Sequence, residues 1–505
     1  MKIFAGLLIA LCLVGAQPSN QPKKEEIKSL YVSNYENVLG TSLEFKFTSS
    51  SETEADKAEQ AALFEINRLG KILSAYDKSS EFNNWLAQGI NKPVKVSAEL
   101  FDMLALFADW KQRTNGALDA SATVAVNLWK EAAAENKLPT SAEIVNAAKT
   151  MQQTHYKLDE TARTAMRLTN VPLVMNTFAK SYIINLACDA ALSASHINAV
   201  VVNIGGDLVI KGDVNDAVNV TNPLANAEND APLAYLTVSN KAVATSGNYR
   251  RGEQIGNKWY SHIIDPRTAM PVEGVISATV IAPNATDAGA LATAFNVLSV
   301  KEGEALAATI KGADYLIITK DGKRIESKNW HNYVAKPLEK EGTTVAGISN
   351  KAEKLWDAKY ELAINFQFNR IEGNSHRPFA AIWVENEKKE AVRNLALWYN
   401  KTKWVPDLRN WYRINGERFK ANKDNYASAT GATRNPGKYT IKWDGKDDKG
   451  AYVPQGKYTI ILETSKEAGT DEIIRQQMEF KKTAKKATNA GNVEISNVTF
   501  DFYKK

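Results

Sequence analysis

Three short polar motifs between residues 242 and 297 hold the side chains best suited to chemistry. The first is an apolar strand that runs into Thr-Ser-Gly at 245–247, where hydroxyls and backbone N–H groups can face an anion. The second sets His262 before two isoleucines and an Asp-Pro-Arg turn. The third is a run of small residues containing Asp287 and Thr293, which predicts the start of a helix. Together the three motifs indicate a site for a phosphorylated ligand.

A second candidate lies upstream, where a predicted strand from Leu173 leads into a helix that continues to about Ser195. Lys180 stands at the beginning of this helix. An ammonium group at a helix N-terminus can pair with a ligand phosphate, helped by unpaired backbone donors and by the helix dipole. The turn Gly205-Gly206-Asp207 that follows joins two buried strands, and by itself it predicts an ordinary hairpin.

These motifs need a mixed α and β framework, which the periodicity of the sequence predicts. Strands are expected from alternating or continuous apolar residues, and helices from apolar residues spaced three and four apart. The predicted strands are 38–47, 199–210 and 313–320, and the predicted helices are 54–73, 97–115 and 139–151.

The first residues predict export. A lysine, an apolar run and Val-Gly-Ala before Gln17 have the parts of a signal peptide, here 1–16, followed by a polar linker, 17–30. Cleavage after Ala16 is favoured over lipid attachment at Cys12, which leaves Cys188 as the one mature cysteine. We expect an exported bacterial protein, periplasmic or at the cell surface, with no transmembrane segment. The charge of +6 is spread along the chain, so no nucleic-acid partner is expected.

At 505 residues the chain predicts more than one domain. Beyond residue 347 short strands with two-residue alternation and many aromatic residues are separated by glycine-rich turns. We expect an all-β, immunoglobulin-like sandwich over 347–505, preceded by an α+β domain over 31–340.

The ordered motifs resemble the ApbE family, the magnesium-dependent FAD:protein FMN transferases. The family pattern includes Thr-Ser-Gly-Asp-Tyr, His-x-Ile-Asp-Pro and Asp-Ala-x-Ala-Thr, and this chain has Thr-Ser-Gly-Asn-Tyr, His-Ile-Ile-Asp-Pro and a related small-residue run. The resemblance implies a T-fold-type transferase domain. The C-terminal part is similar to an uncharacterised domain that accompanies some ApbE-like transferases. Departures from the pattern include Asn176 and Ser181, each at a position where the family has glycine.

The resemblance also implies the residues of the site. His262 would take the proton of the acceptor hydroxyl, and Lys180 would neutralise phosphate charge. FAD would be bound by Thr41, Tyr76, Ala117, Leu118, Asp119, Lys180, Thr245, Ser246, Gly247, His262 and Ile263. Taken singly, Tyr76 is equally an amphipathic residue at a helix end, and Asp119 is equally a helix cap.

Family members bind Mg²⁺ through a backbone carbonyl, a threonine hydroxyl and an aspartate four residues before that threonine. The carbonyl corresponds to Thr177 and the hydroxyl to Thr293, but Gly289 stands where the aspartate is expected. Asp287, two residues further back, is the nearest carboxylate and is expected to reach the metal through a shifted loop or a water; the alternative is a site that has lost its only charged ligand and binds Mg²⁺ weakly.

The expected reaction splits FAD and moves FMN onto a threonine of an exported protein, releasing AMP. Acceptors would contain a Ser/Thr-Gly-Ala-Thr motif. The chain has a similar sequence at 424–433, which makes Thr433 a candidate FMN acceptor; the alternative is an ordinary small-residue loop. The alternative functions are a catalytically weakened FAD-binding module and a cell-surface interaction protein.

Overall fold

The computed structural model describes residues 28–249, 251–335, 354–370, 377–421, 429–466 and 471–505. The predicted signal peptide and most of the predicted linker lie outside these residues. Two separate hydrophobic cores dominate the described chain, one built from residues before 320 and one from residues after 355. Within the described residues no helix combines the length and apolar composition that a membrane span needs.

The first part is built on an eight-stranded sheet in the order β1-β2-β6-β7-β10-β15-β16-β17, with antiparallel neighbours throughout. Smaller hairpins and a three-stranded sheet surround it. The strands are β1 (Ser29–Val38), β2 (Thr41–Ser49), β3 (Pro93–Lys95), β4 (Tyr156–Asp159), β5 (Thr164–Arg167), β6 (Ala199–Ile204), β7 (Asp207–Gly212), β8 (Asp216–Val220), β9 (Ala234–Val238), β10 (Ala242–Gly247), β11 (Gly252–Ile255), β12 (Lys258–Ser261), β13 (Ile264–Asp265), β14 (Met270–Pro271), β15 (Val275–Ala282), β16 (Asp314–Thr319) and β17 (Arg324–Glu326).

One face of the sheet is covered by helices and the other by the β8–β9 hairpin and Trp330. The helices α1, α3, α6 and α7 supply most of the apolar side chains of the larger core. The helices of this part are α1 (Glu52–Leu73), α2 (Glu81–Leu86), α3 (Ala98–Arg113), α4 (Thr123–Ala134), α5 (Ser141–Met151), α6 (Ala179–Ala194), α7 (Ala285–Val297) and α8 (Val300–Ala308).

Local sequence accounts for where these helices begin. Ser51 and Ser97 accept hydrogen bonds from backbone N–H groups in the first turns of α1 and α3. Helix α6 differs, because Phe178 at its cap position provides no side-chain acceptor. The first N–H groups of α6 therefore donate no hydrogen bond to a capping side chain. This end of the helix lies at the candidate site.

Strand β1 begins at Ser29, inside the segment predicted as linker, and pairs along its length with β2. The sequence did not predict this strand, because an edge strand that faces a second domain does not alternate regularly between apolar and polar residues. The predicted first strand, 38–47, is mostly β2, and the helices predicted at 54–73 and 97–115 are confirmed within a few residues.

The second part is β-rich. Its sheets run β22-β18-β26-β25 and β21-β20-β19-β23-β24, and side chains of both form one core. Helix α9 (Arg409–Ala421), which the sequence analysis did not predict, packs on the outer face of the second sheet. The strands are β18 (Tyr360–Phe368), β19 (Phe379–Glu385), β20 (Ala391–Trp398), β21 (Thr430–Gly431), β22 (Gly437–Trp443), β23 (Gly456–Ser465), β24 (Glu472–Phe480), β25 (Lys485–Gly491) and β26 (Ile495–Lys504).

The two parts touch through polar contacts. The backbone N–H of Asn34 in β1 donates to the carbonyl of Asn400 at 2.7 Å. The side chain of Asn229 exchanges two hydrogen bonds with the backbone of Lys442, at 2.7 and 2.8 Å. The first bond docks the β-rich part against β1, the edge strand of the large sheet, and the other two dock it against the connection between β8 and β9.

Candidate functional site

Strand ends bring the first candidate residues together. Because β2 pairs with β6, β7 with β10 and β10 with β15, the β6–β7 turn lies at the same end of the sheet as the start of β2 and the end of β10. Thr41 packs on this turn, since a Cβ built on Gly205 would lie 2.9 Å from its Oγ1. Gly205 has φ +62°, a conformation that favours glycine.

The end of β10 supplies Thr245, Ser246 and Gly247, all partly exposed. The Thr245 hydroxyl is 2.9 Å from that of Thr279 on β15. The backbone carbonyl of Ser246 accepts a hydrogen bond of 3.2 Å from Asn296 on α7, which ties the Thr-Ser-Gly segment to that helix.

The N-terminus of α6 faces the same end of the sheet. Thr177 lies in the turn before the helix, and Lys180 is in its first turn, partly buried. Burial lowers the pKa of the Lys180 ammonium, with Asp207 raising it and Arg251 lowering it further. A cation that is only partly solvated, at a helix end without a side-chain cap, is suited to a phosphate.

Tyr76 stands at the rim of this place. Its hydroxyl accepts a hydrogen bond of 2.8 Å from Asn176, the residue before Thr177, although the Tyr76 side chain is otherwise exposed. The tip of the side chain is thus bound to the turn that leads into α6, and its contact with FAD stays a prediction.

His262 follows β12 and is held by Arg251. Its Nδ1 is 2.9 Å from the Arg251 carbonyl oxygen, and its backbone N–H donates to the same oxygen. Burial lowers the pKa of His262, and the Arg251 charge lowers it further. Arg251 thus acts on the pKa of both His262 and Lys180, which connects the β11–β12 hairpin with α6. Ile263 is partly buried, and its carbonyl accepts from the Val272 N–H.

Helix α7 presents Thr293 and Gly289 to this region. The Thr293 hydroxyl donates to the Gly289 carbonyl at 3.1 Å, which leaves its oxygen lone pairs available. A Cβ built on Gly289 would lie 2.5 Å from the Oγ of Ser181 on α6, so these two positions are in direct contact. Ser181 in turn donates a hydrogen bond of 2.9 Å to Asp207 Oδ2.

The structure does not bring Asp287 to this place. Successive residues of a helix are rotated by about 100°, so Gly289, Thr293 and Asn296 lie on one face of α7. Asp287 lies on the opposite face. There its pKa is raised by burial, lowered by Arg113 and raised by Asp109, both on α3. The shifted loop that was expected to carry Asp287 to the metal is absent, because Asn284 caps α7 in register and fixes the orientation of its first turn.

The segment 117–119 is almost entirely buried. The Asp119 carboxylate accepts from the Ser121 backbone and hydroxyl at 2.7 and 2.6 Å, and it also forms an ion pair with Lys111. Its side chain is therefore the cap of a short 3₁₀ turn, and Ala117 and Leu118 contribute to the core. Contact between this segment and FAD stays a prediction.

Thr433 lies at the boundary between the two parts and is 4% exposed. Its hydroxyl donates to the carboxylate of Glu36 in β1, and the same carboxylate pairs with Arg377. Most of the acceptor-like sequence before it, 422–428, lies outside the described residues. In this arrangement the hydroxyl is used by the domain contact.

Asp207, Ser181, Arg251 and Asn176 are site residues that the sequence analysis did not assign. Removal from water raises the pKa of Asp207 to about 6. The hydrogen bond from Ser181 and the charge of Lys180 act in the opposite direction and lower it. A signal existed for Ser181 and Asn176, because both stand where the family pattern has glycine. Nothing in the sequence indicated that Arg251 would hold the histidine.

One cavity, of about 280 Å³, is lined mainly by residues 270–275 and 296–299. It borders Asp265 of the His-Ile-Ile-Asp-Pro segment but is lined by none of the predicted site residues. We place the site at the end of the sheet instead, because the polar contacts described above converge there.

The donor set at the end of the sheet is compatible with a hard divalent cation. Over the described residues no group of three or more His, Cys, Asp and Glu side chains forms a ready metal cage. A site for Mg²⁺ does not require one, since this ion is commonly held by one or two carboxylates, other oxygen atoms, waters and substrate phosphates. Thr177, Thr293 and Asp207 offer a carbonyl, a hydroxyl and a carboxylate.

Comparisons with known proteins relate each part of the chain to a family. Residues 39–317 match the model of the ApbE family, and residues 359–497 match a family described as predicted periplasmic protein (DUF2271). The chain is 26% identical over 310 residues to an FAD:protein FMN transferase of Vibrio cholerae, covering 59% of this chain and 91% of the relative. It is 27% identical over 340 residues to that of Haemophilus influenzae, covering 63% and 94%.

Solved structures of ApbE proteins have the same fold as the first part of this chain. The crystal structure of the ApbE protein of Thermotoga maritima superposes with a TM-score of 0.54 at 27% identity, covering 61% of this chain and all of that one. An apo flavinyl transferase ApbE of Pseudomonas stutzeri has a TM-score of 0.51 at 20% identity, covering 62% and 98%, which supports the fold.

Proposed function

This chain belongs to the ApbE family, and we propose that it is an exported enzyme that transfers FMN from FAD to a threonine hydroxyl of another protein. Two side chains of the candidate site give this proposal its main support. One is a histidine whose Nε2 is left free as a base, and the other is a partly buried lysine at an open helix N-terminus.

The reaction exchanges the phosphoanhydride bond of FAD for a phosphoester bond to the acceptor. The acceptor oxygen attacks the phosphorus on the FMN side of the FAD pyrophosphate, and the bond from that phosphorus to the bridging oxygen breaks. AMP leaves with that oxygen and its electron pair, and the acceptor hydroxyl loses its proton. The protein must therefore orient the pyrophosphate, neutralise its charge and accept one proton.

His262 is suited to accept the proton. A carbonyl oxygen only accepts, so Nδ1 must donate to the Arg251 carbonyl, and in the neutral ring Nε2 then has no proton. Because burial lowers the pKa of His262, the neutral form prevails at neutral pH. Both conditions for a general base are met.

Lys180 and the backbone N–H groups of the first turn of α6 are suited to bind the pyrophosphate. Their positive electrostatic potential would stabilise negative charge that grows on the leaving phosphate. A bound Mg²⁺, held through the Thr177 carbonyl and the Thr293 hydroxyl, would supply further charge neutralisation and alignment.

Export and the nature of the acceptor are also proposals. Export is supported by the signal-like first residues and by the family of the second part, which is described as periplasmic. We propose that the second part, 347–505, is an immunoglobulin-like sandwich, because its two sheets enclose one core. We also propose that this part recruits acceptors with a Ser/Thr-Gly-Ala-Thr motif.

The test uses the full chain, FAD, Mg²⁺ and an acceptor protein that contains Ser-Gly-Ala-Thr. We expect AMP and an acceptor that gains the mass of FMN on its threonine, in equal amounts. The same acceptor with that threonine changed to valine is the control. FAD binding without AMP would instead identify a flavin-binding module, an alternative favoured by the absence of a carboxylate at Gly289.

A further inference from the structure

An aspartate at position 289, as in the family pattern, would require the Ser181 hydroxyl to leave its present position. A Cβ built on Gly289 would lie 2.5 Å from Ser181 Oγ, closer than such atoms approach each other. The Ser181 hydroxyl thus fills the space where a side chain at 289 would begin. Gly289 on α7 and Ser181 on α6 both differ from the family pattern, and each of these two differences therefore depends on the other.

The serine also connects this space to a carboxylate. Ser181 Oγ donates to Asp207 Oδ2 at 2.9 Å, and no other hydrogen bond to the Asp207 side chain occurs among the residues that the structure describes. Asp207 follows the Gly205-Gly206 turn, at the end of the sheet where Thr41 and the end of β10 also lie. Its second oxygen is thus available to a ligand.

We propose that Asp207, oriented by Ser181, supplies in this chain the carboxylate that position 289 lacks, and that a divalent cation binds there together with the Thr293 hydroxyl and the Thr177 carbonyl. This inference rests on the proposed function, because it concerns the cation of the same site. It replaces the expectation that Asp287 is the metal ligand.

Electrostatics favours this assignment. A carboxylate that is largely removed from water and has one hydrogen bond gains more from a nearby cation than an exposed one does. Asp287 lies on the other face of α7, beside Arg113, and cannot serve the same cation as Thr293. Asp207 is linked to Gly289 through a single side chain, Ser181, so it lies on the correct face.

The experiment measures binding of Mn²⁺ to the full chain by electron paramagnetic resonance, with and without ADP as a pyrophosphate-containing ligand. We expect Asp207→Asn to weaken Mn²⁺ binding by at least about tenfold, as loss of a ligand or its support commonly does. The matched control is Asp216→Asn, a buried carboxylate that pairs with Lys46 at 3.1 Å, and it should bind Mn²⁺ as the unmodified chain does.

A rescue variant tests the coupled change directly. Adding Ser181→Gly and Gly289→Asp to Asp207→Asn clears the space and returns a carboxylate to position 289, so Mn²⁺ binding should recover. Gly289→Asp alone, which keeps Ser181, should lower the melting temperature because the new Cβ meets Ser181 Oγ. Failure of the triple variant to recover Mn²⁺ binding would count against the proposal.

Unchanged Mn²⁺ binding in Asp207→Asn would overturn the inference, as would a full chain that binds no Mn²⁺ with or without ADP. If Asp207→Asn does not fold, Ser181→Ala takes its place, with an expected loss of about tenfold because the carboxylate is no longer oriented; unchanged binding there would also overturn it. AMP release from FAD separates the two proposals. If AMP forms but Asp207→Asn leaves Mn²⁺ binding unchanged, the proposed function stands and the inference fails. If Asp207→Asn weakens Mn²⁺ binding but no AMP forms, the inference stands and the proposed function fails.

Discussion

His262 Nδ1 lies 2.9 Å from the carbonyl oxygen of Arg251, eleven residues earlier in the chain. The contact joins the two ends of the β11–β12 hairpin, so the hairpin itself determines which nitrogen of the ring has the proton. The hairpin thus determines the tautomer of the proposed base, and burial favours the neutral form of its ring.

The rate of FMN transfer should be lost at acid pH. Burial holds the pKa of His262 below its ordinary 6.5, although the hydrogen bond to the Arg251 carbonyl opposes this effect, and protonation removes the free lone pair. We therefore expect kcat/KM to be flat near neutral pH and to fall as pH decreases through a midpoint below 6.5. The measurement is a pH profile of AMP release under conditions where the fold is intact. A midpoint above 6.5 would contradict this assignment.

Replacement of the base should act on chemistry rather than folding. We expect His262→Ala to lower kcat by about 10²–10⁴-fold, the usual contribution of a positioned base, and to remove the acid limb of the profile. The control is His331→Ala, because Nδ1 of His331 also lies near a backbone carbonyl, at 3.0 Å, but far from the site in an exposed turn. Similar losses in both variants would argue against a catalytic role.

Loss of the Lys180 ammonium should weaken the interaction with FAD phosphates. A hydrogen bond to a charged group contributes about 1.5–3 kcal/mol, so Lys180→Ala is expected to lower kcat/KM for FAD by roughly 10–100-fold. The matched control is Lys211→Ala, since Lys211 pairs with Asp189 of the same helix at 2.6 Å. Equal effects of the two substitutions on kcat/KM would remove Lys180 from the site.

Thr433 should not gain FMN while the two parts remain docked. Its hydroxyl is buried and donates to the carboxylate of Glu36, so in the docked state it is not available to attack the phosphorus of FAD. We expect the peptide containing Thr433 to stay unmodified when the full chain is treated with FAD and Mg²⁺ and analysed by mass spectrometry. FMN on that peptide would show both that Thr433 is an acceptor and that the domain contact opens.

The Glu36 carboxylate should stabilise the domain contact, because it serves both Arg377 and Thr433. Glu36→Ala leaves a largely buried guanidinium and a buried hydroxyl without this partner. We expect a loss of about 1–3 kcal/mol in the free energy of unfolding, read from urea denaturation. Glu65→Ala is the comparison, since Glu65 pairs with Arg68 on the outer side of α1 and should have a smaller effect. No difference between the two would place the stabilisation elsewhere.

The framework could be predicted from the sequence because helices and strands are specified by local periodicity. Helices α1 and α3 have regular apolar faces and serine caps, and they begin where expected. The family motifs predicted Lys180, Thr245 and His262 as residues of one site, and their shared role stays a prediction. Helix α9 was missed because it interrupts a run of strands with aromatic residues that also suit a sheet.

The charged part of the site could not be predicted in the same way. The contact between Ser181 and Asp207 joins positions 26 residues apart, and it exists only because α6 packs against the turn between β6 and β7. Asp287 was misplaced because nearness in sequence to Gly289 was taken for nearness in space. On a helix, two residues two positions apart point in directions 200° apart.

The exposure of Tyr76 has a consequence for substrate choice. Its ring is 79% exposed while Asn176 holds the hydroxyl, so a flat apolar surface is kept at a fixed distance from the start of α6. A dinucleotide that ends in a broad fused ring would cover that surface, whereas ADP-ribose, with the same pyrophosphate, would leave it in water. Discrimination between these two molecules is therefore expected to reside in this one aromatic side chain.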